Sequence, residues 1–371
     1  MKGQDMIDTK YTLKKVIENT APADPKWQQA ARDHIEKLAI PPWSLGQLLT
    51  LGEQLAGIQR TIHPNVDKKM VITMAGDHGV VAEGVSACPQ EVTPQMVENF
   101  AKDGAGINVL AKAAGAKVIV VDMGIAVDLP ELVASGKLID CKVDYGTKNF
   151  YREQAMTREQ AIAALEAGIN VASKVIEEQG INLLATGDMG IGNTTPSAAI
   201  LAVMAEYPVS SVTGRGTGID NAALINKIKV IRESINRLQP DKNDPIDVLA
   251  KVGGFEIAGI AGVILGAAYH QVPVLVDGFI STAGALIAKG LCPASLDYMI
   301  PSHQSEEPGH QLMWQSLGLT PLLNLNFRLG EGTGAAVAMH LVESSARVMC
   351  DMLTFEDSGV SKGAGHDNAS L

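Results

Sequence analysis

The sequence predicts an α/β protein in which a parallel sheet is covered by helices on both faces. Four short runs rich in β-branched residues, Met70 to Ala75, Lys117 to Asp122, Ile181 to Thr186 and Val272 to Val276, each end in a Gly or Asp turn and lead into a helical stretch. The runs are continuously apolar rather than alternating, as expected of strands buried on both faces. Composition agrees. The chain is 46% hydrophobic, 19% charged and only 4% aromatic, with 37 glycines, which excludes collagen, coiled coil and wholesale disorder. Its 371 residues suffice for two domains, or for one large α/β unit with a satellite, at roughly 100 to 200 residues per domain.

The first 60 residues read as helices broken by prolines at 22, 25, 41 and 42, with apolar positions at Leu38, Leu45, Leu48, Leu49, Leu51 and Leu55. Further on, Thr157 and Gln160 form a capping-box signature. Leu165, Ile169, Ala172 and Ile176 then recur at helical spacing, and Gly180 stands where a C-terminal glycine belongs. A strand follows at once, which is the logic of a βαβ unit. After Gly334 an apolar stretch reads as a final helix to about Leu353, and 358–371 reads as a frayed Gly/Ser/Asn-rich tail. The longest apolar run, Ile257 to Ala268, has 12 residues and falls short of the ~18 that a membrane span needs. Met1 to Lys15 lacks the apolar core of a signal peptide, so a cytoplasmic location is expected. Cys88, Cys141, Cys292 and Cys350 are widely spaced and read as buried free thiols rather than as a disulfide or zinc framework. A net charge of −11, without a basic patch, argues against a nucleic-acid partner.

Five segments could carry chemistry. Gly187 to Ser197, GDMGIGNTTPS, follows the strand Ile181 to Thr186 and precedes a helix. Gly190 and Gly192 would let the backbone approach a phosphate, with Asn193, Thr194 and Thr195 donating from side chains; the alternative is an ordinary tight turn with Thr195 as N-cap. It is neither a Walker A loop nor a GxGxxG fingerprint. A second cluster, Gly214 to Gly218, precedes a helix from Asp220 that contains Lys227. Arg215 or Lys227 could balance an anion, although a solvated loop suits Arg215 better. Asp77 and His78, in GDHGV, stand at a strand end and are read as loop-holding rather than catalytic. Asp277, in VDGFISTAG, either orients a substrate hydroxyl or caps the next helix. In LGEGTGAA, Glu331 lies between two glycines that strip bulk from around it, and the dipole of the following helix would keep it ionised. His303, Glu306, Glu307 and His310 fit no zincin spacing and read as a hydrogen-bonded loop rather than a metal site.

In order and spacing, GDHGV, AEGVSACPQEVT, TGDMGIGNTTPSAA, GRGTGID, GGFEIAGIAG, VLVDGFISTAGAL, SHQSEEPGH and LGEGTGAA resemble the nicotinate-nucleotide:dimethylbenzimidazole phosphoribosyltransferase family from about Leu45 to Leu353. The resemblance implies a Rossmann-like sheet in a phosphoribosyltransferase domain, 61–335. It also implies a small helical domain from both chain ends, 1–60 with 336–356, and leaves 357–371 as a tail. Implied too are a homodimer and transfer of the 5-phosphoribosyl group from nicotinate mononucleotide to dimethylbenzimidazole or a related base, without a metal or redox cofactor. It places the catalytic base on Glu331 and the phosphoribose at Gly190, Gly192, Asn193, Thr194 and Thr195. Ser86 and Gln90 fall near the base, and Asp188, Gly216, Lys227 and Asp277 are site neighbours. The position of Asp188 is often Glu in the family, and the shorter side chain leaves an auxiliary role open. A sensor that binds nucleotide without catalysis would lack an acid at 331. An oxidoreductase would need the missing fingerprint.

Overall fold

The structure is a computed structural model and describes residues 10–361. Six parallel strands, β1 (Lys69–Gly76), β2 (Lys117–Gly124), β3 (Ile139–Asp140), β4 (Leu183–Met189), β5 (Val274–Val276) and β6 (Met299–Pro301), form one sheet in the order β3-β2-β1-β4-β5-β6. This is the Rossmann-type order. Strand β1 shows why a continuous apolar run sits at the centre. Met70, Ile72 and Met74 point into the core on one face, while Val71 and Ala75 enter the core on the other, the period of two that a pleated strand imposes. β3 and β6 were not anticipated from sequence: with two and three residues they carry too little pattern, and β6 ends in Pro301 at the sheet edge, where a missing N–H costs nothing. Two more strands, β7 (His303–Ser305) and β8 (Leu323–Phe327), form a separate parallel pair.

The helix Arg158–Gln179 starts on the expected capping box, with Thr157 Oγ1 accepting from Gln160 N–H at 3.1 Å and Gln160 Oε1 accepting from Thr157 N–H at 2.9 Å. It ends at Gly180 with φ +64°, the left-handed conformation that glycine adopts without strain. Against it lies the helix Phe255–Tyr269, which contains the longest apolar run. Every residue from Phe255 to Ala268 is buried, so the run is a core helix; among the described residues no helix is long and apolar enough to cross a membrane. The two backbones touch. A Cβ on Gly168 would lie 2.0 Å from the Gly259 carbonyl oxygen, and one on Gly262 would lie 2.1 Å from that of Leu165.

Helices Pro25–Ile35, Gln47–Gln59 and Thr333–Asp351 pack together through Ala31, Ile35, Leu49, Ala56 and Met349, with Leu38 between them. The first helix, Leu13–Asn19, instead places Leu13 and Val16 in the core beside the sheet. The segment read as a tail begins inside a short helix, Phe355–Ser358, capped by Thr354, and 362–371 lies outside the described residues. The thiols also depart from expectation: all four are free, but only Cys292 is buried, and Cys350 is exposed.

Candidate active site

The strand order reverses between β1 and β4, and ligands of open α/β sheets bind beyond the carboxyl ends of strands at such a point. A cavity of about 340 Å³ opens there. Its floor is the turn from β4 into the helix Thr194–Met204. Gly192 has φ +90°, and a Cβ on Gly190 would stand 2.2 Å from the Gly76 carbonyl oxygen, so both glycines are required by the backbone. The N–H groups of Gly192 and Thr194 make no hydrogen bond among the described residues. With the positive end of the helix behind them they suit an anion. Asn193, not Thr195, is the N-cap. Thr195 is the second residue of the helix, fully buried, with Oγ1 unpartnered and off the cavity surface.

Lys227 stands behind this turn rather than on the cavity wall. Its Nζ donates to Thr194 Oγ1 at 2.7 Å, and burial pulls its pKa down to about 8 against the opposing pull of Glu307. Glu307 Oε1 in turn accepts from Gly216 N–H at 3.0 Å, and Gly216 lines the cavity. Next to it, Thr217 Oγ1 accepts from Ala87 N–H at 2.8 Å and lies 3.1 Å from Ser86 Oγ. Ser86 therefore reaches the cavity, whereas Gln90 is half-buried just before the helix Val92–Ala101 and does not. Arg215 is taken up locally by the Ile219 carbonyl and the Asn221 side chain.

Glu331 also lines the cavity, in an unusual conformation. Gly330, Glu331 and Gly332 have φ of +84°, +65° and +98°, a left-handed run that costs a non-glycine residue about 1 to 2 kcal/mol. A Cβ on Gly332 would meet Val71 Cγ1 at 2.6 Å. The turn is pinned from below. Asp277 Oδ2 accepts from Gly332 N–H at 3.0 Å and Oδ1 from Ala335 N–H at 2.9 Å, and Thr73 Oγ1 donates to the Glu331 carbonyl oxygen at 3.0 Å. Asp277 thus caps a helix, but Thr333–Asp351 rather than the next, and it is off the cavity surface. The carboxylate of Glu331 turns away from its own helix, and Oε2 accepts from Ile107 N–H at 3.0 Å, at the start of the helix Gly106–Ala113. Burial raises its pKa above the ordinary carboxylate value, and that N–H only partly offsets the rise. Asp188 faces this turn: both its oxygens would lie 3.2 Å from a Cβ on Gly330. Asn193 Nδ2 donates to Asp188 Oδ2 at 2.9 Å. Burial first, then Asp277, pushes its pKa well above the ordinary carboxylate value.

The remaining motifs are structural or line the cavity. His78, fully buried, lies 2.8 Å from Glu256 through Nε2, and Asp77 Oδ2 accepts from Ala126 N–H at 2.8 Å, so both hold loops together. His310 accepts from Ser305 N–H at 2.8 Å through Nδ1 and pairs with Thr282 Oγ1 through Nε2 at 2.9 Å, which occupies both ring nitrogens.

Residues 20–360 match a family model described as a phosphoribosyltransferase, DBI_PRT. The chain is 52% identical, over 95% of its length and 99% of the relative, to the nicotinate-nucleotide–dimethylbenzimidazole phosphoribosyltransferase of Syntrophotalea carbinolica. The same figures hold for the protein of that name in Geobacter sulfurreducens. The crystal structure of CobT from Thermus thermophilus superimposes with a TM-score of 0.87 at 44% identity, covering 91% of this chain and all of that one. The chain belongs to the nicotinate-nucleotide:dimethylbenzimidazole phosphoribosyltransferase family.

It is therefore a pentosyltransferase, and the site brings together on one cavity Ser86, Asp188, Gly190, Gly192, Asn193, Thr194, Gly216 and Glu331 of the residues expected from sequence. Gln90, Thr195, Lys227 and Asp277 lie behind or beside it. Sequence reasoning missed Arg328, exposed at the cavity edge without a partner among the described residues; it sits three residues before Glu331, outside the glycine motif that drew attention. It also missed His303 as a lining residue, because that segment was weighed as a metal cluster and read instead as a hydrogen-bonded loop.

Proposed function

We propose that this phosphoribosyltransferase moves the 5-phosphoribosyl group from nicotinate mononucleotide to dimethylbenzimidazole or a related base, releasing nicotinate and forming α-ribazole 5′-phosphate. The observation that carries this reading is a buried glutamate and an anion-ready glycine turn lining one cavity at the sheet's reversal point. The phosphate suits the Gly190–Thr194 turn, with the Lys227 charge behind it. Apolar Val85, Met96, Phe279 and Leu329 beside Ser86 suit a flat base.

The chemistry asks little of an acid. Nicotinate leaves a pyridinium as a neutral ring nitrogen, so its departure needs no proton. As the acceptor nitrogen bonds to C1′ its ring becomes cationic, and its second N–H must lose a proton. Glu331 takes that proton. A carboxylate with a raised pKa is a better acceptor than an ordinary one, and general-base help of this kind is worth ~10²- to 10⁴-fold. Inversion from a β-nucleotide to an α-product requires attack opposite the leaving group, so the two bases occupy opposite sides of the sugar. A homodimer, as the family resemblance implies, working in the cytoplasm completes the reading. Incubating the purified protein with nicotinate mononucleotide and dimethylbenzimidazole tests it: chromatography is expected to show α-ribazole phosphate and nicotinate in equal amounts, and unchanged substrates would reject it.

A further inference from the structure

We infer that His303 is a specificity-determining residue that accepts a hydrogen bond from a ribosyl hydroxyl of the nucleotide donor, an inference that rests on the donor proposed above. Three observations lead there. His303 is 3% exposed, yet it lines the cavity, and its Nε2 lies 3.8 Å from where a Cβ on Gly278, another lining residue, would stand. Nε2 makes no hydrogen bond among the described residues and is not among their closed-off polar atoms, so the cavity is what it meets. The third observation fixes which lone pair it offers. Ser302 Oγ lies 2.7 Å from the Val276 carbonyl oxygen and 3.0 Å from His303 Nδ1. Two oxygens approach that closely only with a proton between them, so the serine hydrogen is committed to Val276. The contact with the ring must then be Nδ1–H donating to Oγ. Asp277 Oδ1, 3.8 Å from Nδ1, favours the same placement of the hydrogen. A neutral imidazole protonated on Nδ1 carries its free lone pair on Nε2.

The position suits a sugar. A Cβ on Gly334 would lie 1.9 Å from His303 Nδ1, so the ring is pressed against the start of the helix that carries the Glu331 turn. Two residues along β7, Ser305 also lines the cavity, and Glu307 beyond it binds Gly216 on the phosphate side. His303 thus stands on the wall between the base that receives the proton and the turn that receives the phosphate, the stretch the ribose must span. The groups there that need an acceptor are its hydroxyls.

The two ring nitrogens can be tested apart. His303→Asn keeps a donor where Nδ1 stood and removes Nε2; His303→Gln does the reverse. Initial rates are measured for both variants and the native protein with nicotinate mononucleotide and its 2′-deoxy and 3′-deoxy forms, with dimethylbenzimidazole as acceptor. The native protein is expected to prefer the full ribosyl donor over one deoxy form by about ten- to a hundredfold in kcat/KM, the usual effect of stranding a buried acceptor. In His303→Asn that preference collapses towards one, because the full donor alone loses rate, and in His303→Gln most of it survives. A purely structural histidine would lower all three donors equally and leave the ratio intact in both variants; that result overturns the inference. Absence of turnover in the native protein would instead overturn the donor reading, and the inference with it.

Discussion

Glu331 has a left-handed backbone, is 4% exposed and has its carboxylate anchored by one N–H. Holding a side chain in a costly conformation is worthwhile where its position matters to chemistry. Because burial raises its pKa above the usual 4.5, and because a base acts in its ionised form, kcat/KM should fall as pH drops through a value above 4.5. A pH–rate profile with its acid limb at or below 4.5 would contradict this. Asp188 should show the price of placing carboxylates close together. Its folded pKa lies well above 3.8, so above that folded value the charged form destabilises the fold, and the penalty fades as pH falls and the folded protein takes up the proton. Asp188→Asn is thus expected to be more stable than the native protein at neutral pH by on the order of 1 kcal/mol, with the gap closing in acid, as read by denaturant titration at several pH values. Lys227, with a pKa of about 8, loses its charge in mild alkali; KM for nicotinate mononucleotide should rise as pH passes 8 while kcat moves less, and Lys227→Met should start from the high KM at every pH.

At the level of elements, the close crossing of Arg158–Gln179 and Phe255–Tyr269 is the feature most exposed to a single change. Alanine at Gly168 gains about 1 kcal/mol of helix propensity, but its Cβ would stand 2.0 Å from a backbone oxygen, which no rotamer relieves. Overpacking of this kind costs typically about 1 to 3 kcal/mol or more, so Gly168→Ala should lower the denaturation midpoint; an unchanged midpoint would show that the helices can part freely. Arg158–Gln179 was legible in sequence because capping residues and 3.6-residue spacing run together for several turns, whereas Phe255–Tyr269 showed only as an apolar run without a side-chain cap. β1, β2, β4 and β5 were legible as apolar runs, although β4 continues through Gly187 and Asp188, which read as a turn. β3, β6, β7 and β8 were not, since pairing with neighbours rather than local pattern makes them strands.

Across the whole molecule, the β1–β4 reversal gathers segments from residues 85 to 331 onto one cavity. The glycine turn and Glu331 could be found in the sequence because each lies inside a compact motif. Asp277 could be found but not its role, because the helix it caps begins far along the chain, at Thr333. Arg328 carried no local signal. In a chain of net charge −11, this cation at the cavity edge, unpaired among the described residues, offsets the general repulsion of an anionic donor; Arg328→Ala should raise KM for the donor several-fold and flatten its dependence on salt, whereas a KM equal to the native value would remove Arg328 from substrate capture.

The claim on which the account turns is that Glu331 removes a proton during transfer. Single-turnover rates of the native protein and Glu331→Gln, each saturated with nicotinate mononucleotide and dimethylbenzimidazole, test it most directly, because the amide keeps the size and the hydrogen bond from Ile107 while losing the acceptor. The account predicts a fall of at least about a hundredfold with the fold intact; equal rates would contradict it and place the base elsewhere on the cavity, with Asp188, the cavity carboxyl that faces the same turn, next in line.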